Sequence, residues 1–349
     1  MRVCQVVPRY PPQTGGVETH VREISERLVA RGHDVKVVTA DAAANGDRRE
    51  TRSGVSVRRC RGVEPGGAFH VAPGVARAVR EVNADVVHAH NYHALPLLFA
   101  AVAAGGSRLV TTPHYHGGSA SSVRDRLLTL YRPLGRWALR RADAIVAVSD
   151  WECERLADDF GVEVTVVPNG IDVERFRDAD PLEWERPYLL TVGRLERYKG
   201  VQHVIRALPE LPDYDLLVAG IGDYGDRLRE VAREAEVTDR VDFLGYVADE
   251  RLPSLYAGAE AYVTLSAFEA YGLTVGEALA AGTPCLVRRA GALVDWTDSD
   301  GVVGIDSVGR ETVAPAVERA VSCTVGRASV VGWDEVVDRL LNVYAEAEG

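Results

Sequence analysis

The chain has few of the features that would place it outside a reducing cell interior or inside a membrane. Its 349 residues include five cysteines, an odd number with no C-x-x-C pair, which indicates free thiols and no disulfide framework. The longest apolar run, residues 97–104, is too short to span a bilayer. Residues 1–8 read as a strand and not as a signal peptide, so we expect a cytoplasmic protein.

Lysine is almost absent, because only Lys36 and Lys199 stand among the 40 basic residues. A lysine in this arginine-rich chain is therefore a candidate for a specific role. Lys199 lies in the segment Gly-Arg-Leu-Glu-Arg-Tyr-Lys-Gly at 193–200. The net charge of −11 argues against nucleic-acid binding as the main function, and we expect no nucleic-acid partner.

Strand patterns alternate with helix patterns through both halves of the chain, which predicts an α/β fold with mainly parallel, covered sheets. The clearest predicted helices are 18–31 and 151–160, the second capped by Ser149. A Pro-Asn-Gly-Ile-Asp turn at 168–172 separates two Rossmann-like lobes, and residues 42–52 are expected to form a mobile loop. The predicted strands are 2–7, 35–39, 85–87, 108–111, 144–148 and 164–167, then 188–192, 216–219, 241–244, 261–263 and 285–288.

Residues 266–284 carry the most informative chemical pattern. Glu269 and Glu277 are separated by seven residues, with Glu269 on a loop and Glu277 on the helix that follows. The free N–H groups of the first helical turn, near Gly272 and Leu273, form an anion site. Carboxylates that accept sugar hydroxyls, beside amides that accept a diphosphate, indicate a nucleotide-sugar site.

This segment resembles the E-x7-E signature of the retaining GT-B glycosyltransferases of family 4, also called glycosyltransferase group 1. The match runs from Glu269 through the Tyr271-Gly-Leu turn to Glu277 and a Gly-Thr-Pro stop. The resemblance covers nearly the whole chain and implies two Rossmann-like lobes that face each other across a cleft. It implies an acceptor-side lobe at 1–168 and a nucleotide-sugar lobe at 169–330. Residues 331–349 are then a C-terminal helix, about 333–348, that crosses back to the first lobe.

Gly193-Arg194 and Lys199-Gly200 match the family's Gly-Arg…Lys-Gly pair. Such cations would stabilise the charge of a departing nucleoside diphosphate, so the resemblance makes Arg194 and Lys199 catalytic together with Glu269. The alternative is a pair of solvated surface cations.

The remaining donor contacts follow from three weaker matches. Residues 11–20 resemble the family's first Gly-Gly loop, where Gly16 would approach the donor, although a plain βα turn is the alternative. Gly222 belongs to a Gly-x-Gly loop, and the backbone near Val247 would meet the nucleobase. Residues 220–225 also spell G-x-G-x-x-G, but no acid ends the next strand as an NAD site requires. The expected donor-binding residues are Gly16, Gly193, Gly222, Val247, Tyr271, Gly272, Leu273 and Glu277.

Histidines cluster at two predicted strand ends. His114 matches the family's catalytic-side histidine, which faces the donor sugar, and His90 and His93 are assigned to the acceptor. A zinc site formed by His88, His90, His93 and His114, or a purely structural role, is the alternative. We expect no metal and no cofactor besides the donor. The Asp298-Ser-Asp segment is expected to be an exposed turn and no metal site.

Residues 121–141 predict a basic amphipathic helix. Arg132, Arg136 and Arg140 fall on one face, which would allow peripheral contact with anionic lipid on the inner face of the membrane. The preferred interpretation is a helix docked on the first lobe with this face in water, since a proline and a glycine interrupt the pattern. Its predicted apolar stripe consists of Leu127, Leu130, Leu134 and Trp137.

The sequence therefore predicts a retaining, metal-independent hexosyltransferase of glycan biosynthesis. The donor would be a UDP-, GDP- or other nucleoside diphosphate sugar, and the acceptor a glycan, glycolipid or lipid-linked hydroxyl. A GT-B sugar-nucleotide 2-epimerase and a non-catalytic nucleotide-sugar-binding protein stay as alternatives.

Overall fold

The computed structural model describes residues 1–13, 15–41, 48–64, 70–117, 122–326 and 330–345, and the chain forms two compact units. Unit 1 holds Met1–Gly170 and Trp333–Gly349, and unit 2 holds Ile171–Gly332. Each unit is built on a mainly parallel sheet with helices, which confirms the predicted α/β fold of two Rossmann-like lobes. No helix in the described ranges has both the length and the apolar character that a membrane span requires.

The sheet of unit 1 has eight strands in the order β3-β4-β2-β1-β5-β6-β7-β8. Its inner strands are buried along almost every residue because both faces are covered. The chain moves outward in one direction from β1 to β2 and in the other from β5 to β6, so the switch point lies between β1 and β5. The strands are Arg2–Val7 (β1), Asp34–Asp41 (β2), Arg48–Arg52 (β3), Val55–Arg61 (β4), Val86–His90 (β5), Arg108–Thr112 (β6), Ala144–Ala147 (β7) and Thr165–Val166 (β8).

The helices of unit 1 connect these strands, apart from the last helix, which comes from the end of the chain. The cap at Ser149 is confirmed, because its side chain accepts a hydrogen bond from the Glu152 amide at 3.0 Å. The helices are Gly16–Ala30 (α1), Gly74–Val82 (α2), Pro96–Ala103 (α3), Ser122–Arg141 (α4), Asp150–Phe160 (α5) and Trp333–Ala345 (α12).

The edge hairpin of unit 1 was not predicted. Strand β3 runs antiparallel to β4 over residues 48–52, so the expected mobile loop at 42–52 is wrong for that part, while 42–47 lie outside the described residues. The segment Arg-Arg-Glu-Thr-Arg has no apolar alternation that would reveal a strand. Charged side chains are common on an edge strand because they discourage pairing with another chain.

The sheet of unit 2 has six strands in the order β11-β10-β9-β12-β13-β14, and all of its neighbouring pairs are parallel. Its switch point lies between β9 and β12. The strands are Tyr188–Val192 (β9), Asp215–Ala219 (β10), Val241–Gly245 (β11), Ala261–Thr264 (β12), Cys285–Arg288 (β13) and Val302–Ile305 (β14). The helices are Val173–Arg177 (α6), Val201–Ala207 (α7), Gly225–Glu234 (α8), Leu252–Ala257 (α9), Leu273–Ala280 (α10) and Arg310–Val321 (α11).

Helix α12 belongs to unit 1 although it lies at the end of the chain. The Arg31 guanidinium donates to the Asp334 carbonyl at 3.0 Å, and the Tyr344 hydroxyl lies 2.7 Å from the His88 imidazole Nδ1. The predicted helix was about 333–348, and its residues 346–348 lie outside the described residues.

Helix α4 docks through a different face from the one that its sequence suggested. Tyr131, Ala138 and Leu139 are buried, and a Cβ atom at Gly135 would lie 2.5 Å from the Tyr92 ring. The glycine therefore permits close packing and does not interrupt the helix. The preferred interpretation, a helix docked on the first lobe with its arginine face in water, agrees with the exposed Arg132, Arg136 and Arg140. The predicted apolar stripe, however, faces outward at Leu130, Leu134 and Trp137.

Candidate functional site

Two loops meet at the carboxyl edge of the unit 2 sheet. One follows β9 and the other follows β12, and these strands are neighbours at the switch point, where open α/β sheets bind ligands. The Lys199 ammonium nitrogen lies 2.5 Å from Glu269 Oε1. The sheet order therefore brings together two predicted catalytic residues that lie 70 positions apart in the chain.

Backbone contacts hold these two loops in register. The Ala267 amide donates to the Tyr198 carbonyl at 2.8 Å, directly before Lys199. Gly200 has a φ of 79°, and a Cβ atom there would lie 2.4 Å from the Leu265 carbonyl oxygen. Only glycine combines this conformation with so close an approach. The position of Lys199 is thus set by the packing of one loop on the other.

The Lys199–Glu269 ion pair is largely shielded from water, with side-chain exposures of 23% and 20%. Burial lowers the pKa of the Lys199 ammonium, but the Glu269 carboxylate and the Tyr198 phenol raise it by more, so the net pKa lies above its usual value. Arg194, at the start of the same loop, is exposed and forms no ion pair with any described residue. Of the two predicted catalytic cations on this loop, Lys199 is therefore paired and Arg194 is available to meet an anion.

Helix α10 starts beside this ion pair. Its N-cap, Gly272, has a φ of 94°, and the first helical hydrogen bond runs from the Val275 amide to the Gly272 carbonyl at 2.9 Å. The amides before Val275, including that of Leu273, precede the helical ladder, as at any helix start. The Trp296 indole donates to the Tyr271 carbonyl at 2.6 Å and fixes the turn. This helix start has the geometry of an anion site.

Glu277 lies on the second turn of α10 and is partly buried. The Tyr256 hydroxyl donates to Glu277 Oε2 at 2.9 Å. Burial raises the pKa of the Glu277 carboxyl to about 7, although the Tyr256 hydrogen bond and the nearby Arg175 oppose that shift. Asp249 adds to it. Glu277 therefore changes its charge near neutral pH, and sequence reasoning did not find its partner Tyr256.

The Gly-x-Gly loop after β10 has a packing reason for its glycines. A Cβ atom at Gly220 would lie 1.9 Å from the Gly193 carbonyl oxygen, and one at Gly222 would lie 2.3 Å from the Leu195 carbonyl oxygen. The Leu195 amide in turn donates to the Ile221 carbonyl at 2.9 Å. The two glycines thus let this loop pack on the Arg194 loop, a role that does not require a dinucleotide.

The loop after β11 lies next along the same sheet edge. The Gly220 amide donates to the Gly245 carbonyl at 2.8 Å, which ties the ends of β10 and β11 together. Tyr246 is 59% exposed, and Val247 is partly buried. The structure therefore places Val247 at the same carboxyl edge as Lys199, two strands from β9.

In unit 1, helix α1 starts at Gly16 with Gly15 as its N-cap. The buried Glu18 accepts a hydrogen bond from the Arg9 guanidinium at 2.7 Å. A Cβ atom at Gly15 would lie 2.4 Å from a Glu18 carboxylate oxygen. The Arg9–Glu18 pair was not predicted. Because the Glu18 carboxylate occupies the space beside Gly15, a side chain at position 15 would clash with it. Gly15 therefore has a structural role next to Gly16, the residue predicted to bind the donor.

Three imidazoles converge in unit 1: His20 lies 5.0 Å from His114 and 5.4 Å from His90 between ring centroids. His20 Nδ1 lies 2.6 Å from Asn169 Oδ1, and His90 Nε2 lies 2.7 Å from Gln5 Oε1. Burial lowers the pKa of all three, so they are neutral at pH 7. His90 and His114 were predicted, but His20 was missed because it lies far from them in sequence.

Among the residues that the structure describes, these three histidines form the group that is suited to a metal ion. Their candidate ligand nitrogens lie within 4.8 Å of one another, and neutral imidazole is a zinc ligand. The zinc set considered as an alternative, His88, His90, His93 and His114, therefore differs in its members from this group. The two ring nitrogens of His88 already contact Tyr344 and Thr112, and the His93 ring stacks on His116 at 4.0 Å. Metal independence stays a prediction.

The backbone at His114 is unusual, with a φ of 47°. A left-handed conformation is uncommon outside glycine and is maintained by the surrounding structure. The Glu152 carboxylate accepts hydrogen bonds from the Tyr115 amide and, at 2.8 Å, from the Val148 amide. Burial raises the pKa of Glu152 to about 8. Glu152 thus positions the residue after His114, a role that no sequence motif indicated.

Comparison with known proteins gives matches over almost all of the chain. The family model described as Glycosyltransferase Family 4 matches residues 14–175, and the one described as Glycosyl transferases group 1 matches residues 172–304. The chain is 31% identical to the phosphatidyl-myo-inositol mannosyltransferase of Mycolicibacterium smegmatis, over 100% of this chain and 95% of the relative. It is 29% identical to the glycogen synthase of Mycobacterium tuberculosis, again over 100% and 95%.

Solved structures agree on the fold. Sucrose-phosphate synthase from Thermosynechococcus elongatus superposes with a TM-score of 0.82 at 20% identity, over 99% of this chain and 98% of that one. Anabaena HepE, solved with UDP and glucose, superposes with a TM-score of 0.79 at 18% identity, over 99% and 100%.

Proposed function

The chain belongs to the group 1 glycosyltransferases with the GT-B fold, and on this premise we propose that it is a retaining, metal-independent hexosyltransferase. It would move a hexose from a nucleoside diphosphate sugar to an acceptor hydroxyl. The observation that supports this most is the Lys199–Glu269 pair at 2.5 Å, at the switch point of unit 2, where Glu269 lies in the loop that precedes α10. A cation, a carboxylate and a helix start in one place suit a substrate with a diphosphate and a hydroxylated sugar.

The proposed chemistry concerns the leaving group. As the bond between the sugar C1 and the phosphate oxygen breaks, the electron pair remains on the diphosphate. Arg194, Lys199 and the amides near Gly272 and Leu273 would stabilise that charge more in the transition state than in the ground state. The acceptor oxygen bonds to C1 on the same face, and its proton passes to the departing diphosphate. This scheme contains no covalent enzyme intermediate and uses no ion.

The carboxylates and glycines would orient the donor. Glu269 would accept sugar hydroxyls while it holds Lys199, and Glu277 would accept the ribose hydroxyls. Gly193, Gly222 and Gly16 would let the backbone approach the donor, and the backbone at Val247 would meet the base. Tyr271 would contribute through the turn that its carbonyl holds against Trp296.

His114 would contact the transferred sugar. It is buried and neutral at pH 7, and its Nε2 has no hydrogen-bond partner in the described part of the chain. A buried polar atom without a partner is costly, and a sugar hydroxyl would supply the missing bond. His90 and His93 stay assigned to the acceptor, with His93 the more exposed of the two.

The identity of the donor is tested with a panel. HepE was solved with UDP and with UDP-glucose, and one mycobacterial relative is named a GDP-mannose-dependent mannosyltransferase. Incubation with UDP-, GDP- and ADP-sugars should show a thermal shift and slow release of nucleoside diphosphate for at least one of them. Glycan, glycolipid and lipid-linked hydroxyls are then offered as acceptors to the donor that responds.

Two other functions give different outcomes in the same experiment. A sugar-nucleotide 2-epimerase would change the sugar of the donor, seen by NMR, with no net transfer. A binding protein would shift its melting temperature but release no diphosphate, even over long incubation. Either result would overturn the transferase proposal, as would the absence of any response to the whole panel.

A further inference from the structure

Helix α4 presents a row of large apolar side chains to solvent. Leu130 is 76% exposed, Leu134 is 53% exposed and Trp137 is 46% exposed. Their spacing of four and three residues places them along one line of the helix. A single exposed leucine needs no explanation, but a continuous row of two leucines and a tryptophan marks an interaction surface. We call these three residues the α4 stripe.

The α4 stripe is not a core face that has failed to dock. A neighbouring face of the helix is buried at Tyr131, Ala138 and Leu139, and Gly135 lies against the Tyr92 ring. The helix is therefore anchored in unit 1, and turning the stripe inward would expose those residues. The stripe faces away from the core because that neighbouring face of the helix is already used.

The charged residues of α4 from position 126 onward have one sign. Residues 126–141 hold five arginines and no acidic residue, in a chain with a net charge of −11. Arg132 donates to the Asp159 carbonyl at 3.1 Å, and Arg140 to the Phe160 carbonyl at 3.5 Å, so both neutralise the end of α5. Arg126 and Arg136 are exposed and form no ion pair with any residue that the structure describes.

We propose that the α4 stripe, together with Arg126 and Arg136, docks on the surface of an anionic phospholipid bilayer. The stripe lies on a helix whose outward side is exposed from Leu130 to Trp137, which suits a flat surface. Leucine and tryptophan insert at the headgroup boundary, tryptophan being enriched there, and the arginines meet lipid phosphates. From the sequence, lipid contact by the Arg132/Arg136/Arg140 face was the alternative to a docked helix with that face in water. The structure shows Arg132 and Arg140 hydrogen-bonded to carbonyls at the end of α5, so the proposed lipid contact falls to the α4 stripe with Arg126 and Arg136.

Vesicle co-sedimentation with the full-length chain tests the proposal. Binding to phosphatidylcholine vesicles that contain phosphatidylglycerol is measured at low salt, with pure phosphatidylcholine for comparison. We expect binding to the anionic vesicles that weakens as salt rises. Trp137 should show a blue-shifted emission on binding, which is lost in Trp137→Phe.

Matched variants separate the two parts of the surface. Leu130→Gln/Leu134→Gln/Trp137→Gln should lower the partition coefficient by about 100-fold or more, since the apolar area that enters the lipid is lost. Arg126→Gln/Arg136→Gln should lower it by about 25-fold, or roughly 5-fold per arginine. Val63→Gln, at a valine that is 61% exposed elsewhere in unit 1, should leave binding unchanged.

Other outcomes would overturn the proposal. Absence of binding to anionic vesicles at low salt would do so, and so would unchanged binding by the triple glutamine variant. A concentration-dependent dimer in sedimentation velocity that the triple variant abolishes would assign the stripe to a second copy of the chain. Leu134→Gln alone provides a milder variant if the triple variant melts early. Donor hydrolysis in water should be unchanged in all of these variants, so failure of lipid binding is distinguishable from failure of the proposed reaction.

Discussion

The Lys199 ammonium group donates to a Glu269 carboxylate oxygen at 2.5 Å, and this contact joins the loops after two neighbouring parallel strands. One is a lysine in a chain with only two, and the other is the first glutamate of the E-x7-E segment. The pair keeps the lysine charged in a largely buried place, because the neighbouring carboxylate favours the ammonium form. A bound diphosphate would have to share Lys199 with Glu269.

The leaving-group cations provide the first prediction. Lys199→Ala and Arg194→Ala should each lower kcat by about 100-fold or more, because they oppose charge that develops in the transition state. Circular dichroism and thermal melting should show an intact fold. Lys36→Ala, which removes the other lysine, and Arg197→Ala, on the same loop as Arg194, are the matched controls and should turn over normally. Wild-type turnover in both active-site variants would contradict the assignment.

Substitution of the two glutamates should have different effects on nucleotide binding, as measured by calorimetry. Glu277→Ala is expected to weaken the binding of free UDP or GDP, since its proposed partner is the ribose. Glu269→Ala should leave that affinity nearly unchanged but abolish transfer, since its proposed partner is the sugar. The exposed Glu250→Ala serves as the control for lost charge. The reverse pattern would show that the two roles are exchanged.

Nucleotide affinity should depend on pH through Glu277. Its pKa is raised from 4.5 to about 7, so the carboxyl is mostly neutral at pH 6 and mostly ionised at pH 8. An ionised carboxylate accepts ribose hydroxyls more strongly, and affinity should therefore rise with pH through about 7, by up to roughly 10-fold. Glu277→Gln should lose this dependence. The UDP phosphate also changes its ionisation with pH, and it does so equally for both proteins. Dividing the wild-type affinity by the Glu277→Gln affinity at each pH removes that contribution. A ratio that does not change from about pH 6 to 8.5 would contradict the role of Glu277.

Metal independence is tested with a chelator. Arg194, Lys199 and the start of α10 supply the positive charge that an ion would bring, and Asp298 and Asp300 are exposed. We expect full activity in excess EDTA and no zinc in elemental analysis of the purified protein. Activity that EDTA removes and manganese or magnesium restores would overturn the mechanism. Stoichiometric zinc that is lost in His20→Ala would assign the ion to the His20/His90/His114 group.

Much of the architecture was predictable because it depends on local periodicity. Buried parallel strands appear as short apolar runs, and the predicted strands 2–7, 188–192 and 285–288 agree with β1, β9 and β13 at both ends. The Ser149 cap involves residues within one helical turn, so it could equally be predicted from the sequence. The hairpin strand at 48–52 was not, because its charged side chains carry no apolar pattern and its pairing with β4 defines it.

The sequence by itself determined the elements, their alternation and the spacing of Glu269 and Glu277, since each of these depends on neighbours within a few residues. Only the tertiary structure decided which distant residues meet. Sheet order placed Lys199 against Glu269, and packing added His20 to His90 and His114. The face that α4 buries followed from the shape of Gly135 against Tyr92, a contact between segments far apart in the chain. Such contacts depend on how elements pack, and the periodicity of one segment carries no information about the surface that it will meet.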